Sequence, residues 1–298
     1  MIKRIFLAGL CALGLASVAH AAPLQINLCT GGEGGIYYTA GNYIKDATSG
    51  SSTINLHVEA SKGSIDNVRR TVDVDSADPE ACEAFIGQPD AVVYAKRKNP
   101  SLPIKQIAQL HREYLQVLCN KDSGVTDLSS LPGGKDASGM PYSVNIGPEG
   151  SGAWAVWQNF VHEKDAYKDV PTKNEIDKIA LGSVASGDTT CMIVAAGLPN
   201  PTIQEANDSY SDQVVLAEAS DWSFNNALDI RGKPLYEFVK MPRTYTSLQG
   251  WMGGKRETIS WLAGVYVNPQ RMGDDKALGD FITYANRAKA NIVAAFGK

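Results

Sequence analysis

Thr30-Gly31-Gly32-Glu33-Gly34-Gly35-Ile36-Tyr37-Tyr38 sets four glycines between an alternating apolar run and the start of a helical pattern. The run before it, Leu24-Gln25-Ile26-Asn27-Leu28-Cys29, has the period-two pattern of a strand, and Tyr37 to Ala47 reads as the helix that follows. Glycine permits positive φ and leaves backbone N–H groups open to a ligand. A helix N-terminus adds unsatisfied N–H groups and the positive end of a dipole, so the turn suits a carboxylate or phosphate. It is not a dinucleotide fingerprint, because Tyr37 stands where the third glycine belongs, and no Gly-Lys-Ser/Thr follows to make a P-loop.

Working outward, Thr53 to Val58 alternates as a second strand, with His57 on its solvent side. Ser64 reads as the N-cap of a helix over Ile65 to Arg70, and Ala84-Phe85-Ile86-Gly87 as a buried strand delivering Gln88 at its carboxyl end. Strand–helix alternation at these distances is the doubly wound pattern, whose ligands collect at strand carboxyl ends. A second unit follows, with strands over Leu115 to Cys119, Tyr142 to Ile146 and Thr190 to Ala195. It holds another glycine turn, Gly147-Pro148-Glu149-Gly150-Ser151-Gly152, before a helix over Ala153 to Val161. The apolar run Ile259 to Val267 is long enough to return as a strand to the first unit, and Asp275 to Phe296 closes the chain as an amphipathic helix. The expected architecture is therefore α/β: two doubly wound domains joined by a hinge, 22–112 with 240–298 and 113–239, around a shared cleft.

The chain opens with Lys3-Arg4, an apolar run from Ile5 to Val18 and Ala19-His20-Ala21, the pattern of a secretory signal peptide over residues 1–21. Leu10 before Cys11 does not fit a lipoprotein signal, so a soluble periplasmic protein is expected. A net charge of −4 without a basic stripe argues against nucleic acid. Cys29, Cys82, Cys119 and Cys191 follow the cleavage site; they allow three pairings, with buried free thiols as the alternative. Enzyme chemistry finds no support: there is no Gly-x-Ser-x-Gly elbow, and Ala166 occupies the place of the second histidine after His162-Glu163. No cofactor and no metal site are expected.

The first glycine turn resembles the opening motif of the TAXI solute receptors, the extracytoplasmic subunits of one branch of TRAP transporters. The likeness continues in order through Gly63-Ser64-Ile65-Asp66-Asn67-Val68-Arg69, Gln88-Pro89-Asp90, Asp122-Ser123-Gly124-Val125, the second glycine turn, Ala196-Gly197-Leu198-Pro199-Asn200-Pro201 and Pro242-Arg243-Thr244-Tyr245. It implies a type II periplasmic binding protein that takes small anionic or zwitterionic solutes, such as glutamate, other amino acids and dicarboxylates, to a TRAP permease. The same fold also serves ABC importers and sensor kinases. The chain departs from the family where Ala153 and Trp154 replace a threonine and an often basic residue after Gly-Ser-Gly. Insertions at Asp75 to Ala81 and Gly133 to Gly139 depart as well. The expected contacts to a carboxylate-bearing solute are the N–H groups of Gly34 and Gly35, Tyr38 as wall and donor, and Ser64, Gln88, Ser151 and Gly152 as further donors. Trp154 or Trp251 would stack on the solute. A Cβ at Gly35 is expected to crowd a bound solute if the turn is a site, or to be forced into positive φ if the turn serves only the chain, and the receptor is expected to be a monomer.

Overall fold

A computed structural model describes residues 22–250, 256–273 and 275–297. The proposed signal peptide and Trp251 lie outside the described residues. The first half begins with β1 (Leu24–Cys29), α1 (Ile36–Thr48), β2 (Ile54–Glu59), α2 (Ser64–Val72), β3 (Ala84–Gly87) and α3 (Pro89–Lys98). β1 lies between β2 and β3 with both pairings parallel, so Ile26 and Leu28 are enclosed from all sides. Ser64 is not the cap of α2. Gly63 takes that place at φ 117°, and the Ser64 hydroxyl instead accepts the Gln88 N–H at 3.2 Å.

β4 (Lys105–Asn120) then runs for 16 residues, far beyond the expected Leu115–Cys119. The second half follows with β5 (Val144–Asn145), α4 (Gly152–Glu163), β6 (Thr172–Lys173), α5 (Asp177–Ser186), β7 (Cys191–Ala196), α6 (Pro201–Ser209) and β8 (Val214–Ala217). β9 (Glu237–Lys240), α7 (Thr246–Gln249), β10 (Glu257–Val267), α8 (Pro269–Met272) and α9 (Asp275–Phe296) complete the order. The strand expected over Tyr142 to Ile146 shortens to two ladder residues, beside the parallel neighbours β6 and β7.

The strands form one mixed sheet in the order β2-β1-β3-β10-β4-β7-β5-β6, with β8 on β4 and β9 on β10. β4 and β10 are antiparallel to each other, and both cross from one core to another. Ala108, Leu110, Ala263, Val265 and Val267 join a core closed by α1 and α9. Leu115, Val117, Ile259 and Trp261 join a second core built on α4, and Leu118 faces a third under α5 and α6. The residues between, His111 to Tyr114, carry polar groups where the cores separate. No helix among the described residues is long and apolar enough to cross a membrane.

All four described cysteines are paired. Cys29 joins Cys82, tying the end of β1 to the segment before β3, and Cys119 joins Cys191, its directly opposite residue across β4 and β7.

Candidate functional site

Five helices end their N-termini on one cavity of about 470 Å³: α1 at Gly35, α2 at Gly63 and Ser64, α3 at Gln88, α4 at Gly152 and α6 at Asn200 and Pro201. Each N-terminus follows a strand or turn at the edge of the sheet, as the α/β pattern requires. Their orphan N–H groups and dipole ends make this region favourable to an anion without any cationic side chain. Tyr37, Glu113, Ala195, Ala196 and Phe296 complete the walls.

The elements on the two sides touch across this cavity. Ile65 N–H donates to the Gly150 carbonyl at 3.3 Å, and the Gln88 side-chain amide donates to the Ala195 carbonyl at 3.2 Å. Gly152 lies flush against that amide, for a Cβ there would come within 2.5 Å of Gln88 Nε2. Gln88 is only 2% exposed, and its Oε1 has no hydrogen-bond partner.

Glu113, 2% exposed, projects from the middle of β4 opposite Trp261 of β10. Its Oε2 accepts from the Tyr37 hydroxyl at 2.7 Å and from Trp261 Nε1 at 2.9 Å. Burial, then the charge on Glu113, holds the Tyr37 phenol well above its ordinary range, so it remains a donor. Asp90, in the first turn of α3, is fully buried and stands 3.5 Å from the Tyr236 hydroxyl. Burial, reinforced by Glu113, pushes its carboxyl up to about 8, so at neutral pH it is mostly protonated.

The structure brings Gly34, Gly35, Ser64, Gln88 and Gly152 to the cavity wall. Tyr38 is not there. The helix begins one residue before the expected start and turns Tyr37 to the cavity instead. Ser151 is not among the residues lining the cavity, and its hydroxyl caps α4 by accepting the Trp154 N–H at 3.2 Å. Trp154 packs edge-on against Tyr94, with ring centroids 5.2 Å apart, and does not line the cavity. Positive φ falls at Gly34 (79°) rather than Gly35, whose φ is −76°. Glu113, Asn200 and Phe296 escaped the sequence reading. Asn200 lay in the Pro199-Asn200-Pro201 block that carries the resemblance, and Glu113 left a signal as part of the charged triplet His111-Arg112-Glu113 between two apolar halves of one strand.

A second depression of about 360 Å³ is lined by Arg112, Arg231 and Lys233. Arg112 is paired with Glu237 at 2.7 Å and Arg231 with Asp229 at 2.7 Å, so most of this basic charge is already answered. No cluster of His, Cys, Asp or Glu among the described residues has metal-site geometry.

This architecture is that of periplasmic solute-binding proteins. The chain is similar to the periplasmic aliphatic sulphonate binding protein SsuA from Escherichia coli, at 8% identity and a TM-score of 0.53, over 92% of this chain and 75% of that one. It is also similar to the binding protein component of an ABC phosphonate transporter from Pseudomonas aeruginosa, at 10% identity and a TM-score of 0.50, over 92% and 79% of the two chains. The alkanesulfonate-binding protein SsuA from Xanthomonas axonopodis pv. citri, bound to MOPS, gives 8% identity and a TM-score of 0.50 over 90% and 74%. Residues 28–247 match the model of the NMT1-like family, and the chain belongs to that family. No curated protein sequence matches it.

Proposed function

We propose that the protein is an extracytoplasmic receptor, not an enzyme, that captures a small carboxylate-bearing solute in the cavity and delivers it to a membrane permease. The observation that carries this reading is the convergence of five helix N-termini on one cavity beside a buried, unpartnered Gln88 oxygen. Donors fixed in the backbone can hold an oxyanion, whereas the site offers no nucleophile–base pair among its lining residues. An amino acid or organic acid, glutamate and dicarboxylates included, fits the volume and the chemistry. The series of glycine, Gln88-Pro89-Asp90 and Pro199-Asn200-Pro201 motifs favours the TAXI branch and a TRAP permease as the partner.

In this proposal the chain up to about 112 with the part after Trp261 acts as one domain and the part between as the other; the expected boundary at 240 moves because Met241, Tyr245, Leu248, Ile259 and Trp261 pack with the second unit. β4 and β10 are the connections, passing from one core to the other near Glu113 and Trp261. Export by the signal peptide over residues 1–21 places the receptor in the periplasm as a monomer. A thermal-shift screen of amino acids and organic acids on mature protein tests the reading, because a solute bound only by the folded state raises the melting temperature by mass action. A concentration-dependent rise for at least one such acid is expected; none across the whole panel overturns it.

A further inference from the structure

The cavity pairs its anion-accepting N-termini with two side-chain acceptors, the unpartnered Gln88 Oε1 and the buried Glu113 carboxylate. The bond from Gln88 Nε2 to the Ala195 carbonyl fixes the orientation of that amide, leaving Oε1 buried without a partner in the cavity wall. Glu113 receives two hydrogen bonds on Oε2, but both donors, the Tyr37 hydroxyl and the Trp261 indole, are neutral. Glu113 Oε1 lies 3.6 Å from Nε2 of the buried His111, beyond hydrogen-bond range but within ion-pair range when that imidazole is protonated. No Lys or Arg among the described residues lines the cavity, and Asp90 adds a second acid to the neighbourhood rather than a cation. While His111 is neutral the buried Glu113 carboxylate has no counter-charge around the cavity, a costly arrangement unless a ligand supplies one.

We propose that Glu113 and Gln88 Oε1 form an acceptor pole that selects solutes carrying a protonated amine together with their oxyanion. The inference rests on the reading of the cavity as the solute site and narrows it from acids in general to zwitterions. The ammonium brings both the missing charge for Glu113 and a spare N–H for Gln88, while the helix N-termini take the oxyanion. A hydroxyl in place of the amine supplies a single neutral hydrogen bond and leaves the carboxylate charge unanswered. Tyr37 and Trp261 act as positioning residues, holding the Glu113 carboxylate at the cavity floor from two sides.

Calorimetric titration of the mature protein with matched pairs tests this: glutamate against 2-hydroxyglutarate, alanine against lactate, and taurine against isethionate. For any pair that binds, the amino member is expected to bind at least tenfold more tightly. Glu113→Gln is expected to cut that preference to threefold or less, with unchanged far-ultraviolet circular dichroism showing that the variant folds. Gln88→Met reduces the preference, and this variant carries the test should Glu113→Gln not fold. Binding of hydroxy or unsubstituted acids as tight as their amino partners overturns the acceptor pole but leaves the solute receptor standing. Failure of all six probes, together with no hit in the thermal-shift screen, overturns both.

Discussion

At Gly31–Gly35 the chain lays bare backbone along the cavity, with Gly34 at positive φ and open space where its Cβ would be. At Gly147–Gly152 a turn of similar composition presents only Gly152 to the cavity, pressed against Gln88, and commits its one hydroxyl to capping α4. Glycine serves backbone conformation in both, at Gly34 in the first and at Gly147 and Gly150 in the second, and the second adds close approach at Gly152. Two stretches that read alike in sequence therefore differ in what a substitution would break. The halves that carry them also differ little in covalent bracing, since each holds one disulfide.

The largest expected effect lies where the halves meet. Asp90 sits on α3 of the first half but faces Tyr236 and Glu113, and its carboxyl is raised from an ordinary value near 3.8 to about 8. Between those values the folded chain holds a proton that the unfolded chain has released, so stability falls as pH rises from about 4 to 8 and levels off above. The drop attributable to this group is on the order of 5 kcal/mol. Urea unfolding across that range should show the slope, and Asp90→Asn should flatten it and be the more stable form at pH 9. An unchanged slope in the variant would mean that the joint is not where the strain of burial is concentrated.

Next come the disulfides. Replacing Cys29 and Cys82 together, or Cys119 and Cys191 together, by serine should cost about 2–4 kcal/mol in denaturant unfolding. The enclosed loops span 53 and 72 residues, and a logarithmic dependence on loop length makes the two losses equal within about 0.5 kcal/mol. A loss much larger in one half would show that the bracing is unequal after all.

Substitution at the turns separates their roles more finely. Gly152→Ala drives a Cβ into the Gln88 amide, and overpacking of about 1–3 kcal/mol should weaken solute binding roughly tenfold or more by calorimetry. Gly34→Ala meets no neighbour but is strained by its φ of 79°, so it should cost about 1 kcal/mol of stability and less affinity than Gly152→Ala. Smallest is Ser151→Ala, which removes a helix cap worth about 1 kcal/mol and should leave affinity unchanged. A tenfold loss of affinity in that variant would return Ser151 to the solute.

The alternating and glycine-flanked segments were legible because local pattern decides them: β1, α1, β3, α4 and α9 stand within a residue or two of their expected ends. The cavity was legible in part for the same reason, since Gly34, Gly35, Ser64, Gln88 and Gly152 sit at strand-to-helix turns. Tyr38 was displaced because neighbouring helix positions point about 100° apart, so with Tyr37 facing the cavity Tyr38 faces away from it. Trp154 and Ser151 found partners in Tyr94 and in their own helix, contacts that composition does not reveal. Glu113 was missed because its meaning depends on β10 returning beside β4 to bring up Trp261, a pairing some 150 residues distant. The disulfides depend on pairings of the same non-local kind, which is why four cysteines alone left the choice open.

In the proposed function the cavity at the five helix N-termini, rather than the depression lined by Arg112, Arg231 and Lys233, receives the solute. A crystal structure of the mature protein with the strongest stabiliser from the thermal-shift screen tests this most directly. The account predicts the solute oxyanion within hydrogen-bonding distance of backbone N–H groups at the starts of α1 and α4, with Gln88 and Glu113 also in contact. Solute density against Arg112, Arg231 and Lys233, with the cavity at Gly35 and Gly152 unengaged, would contradict it.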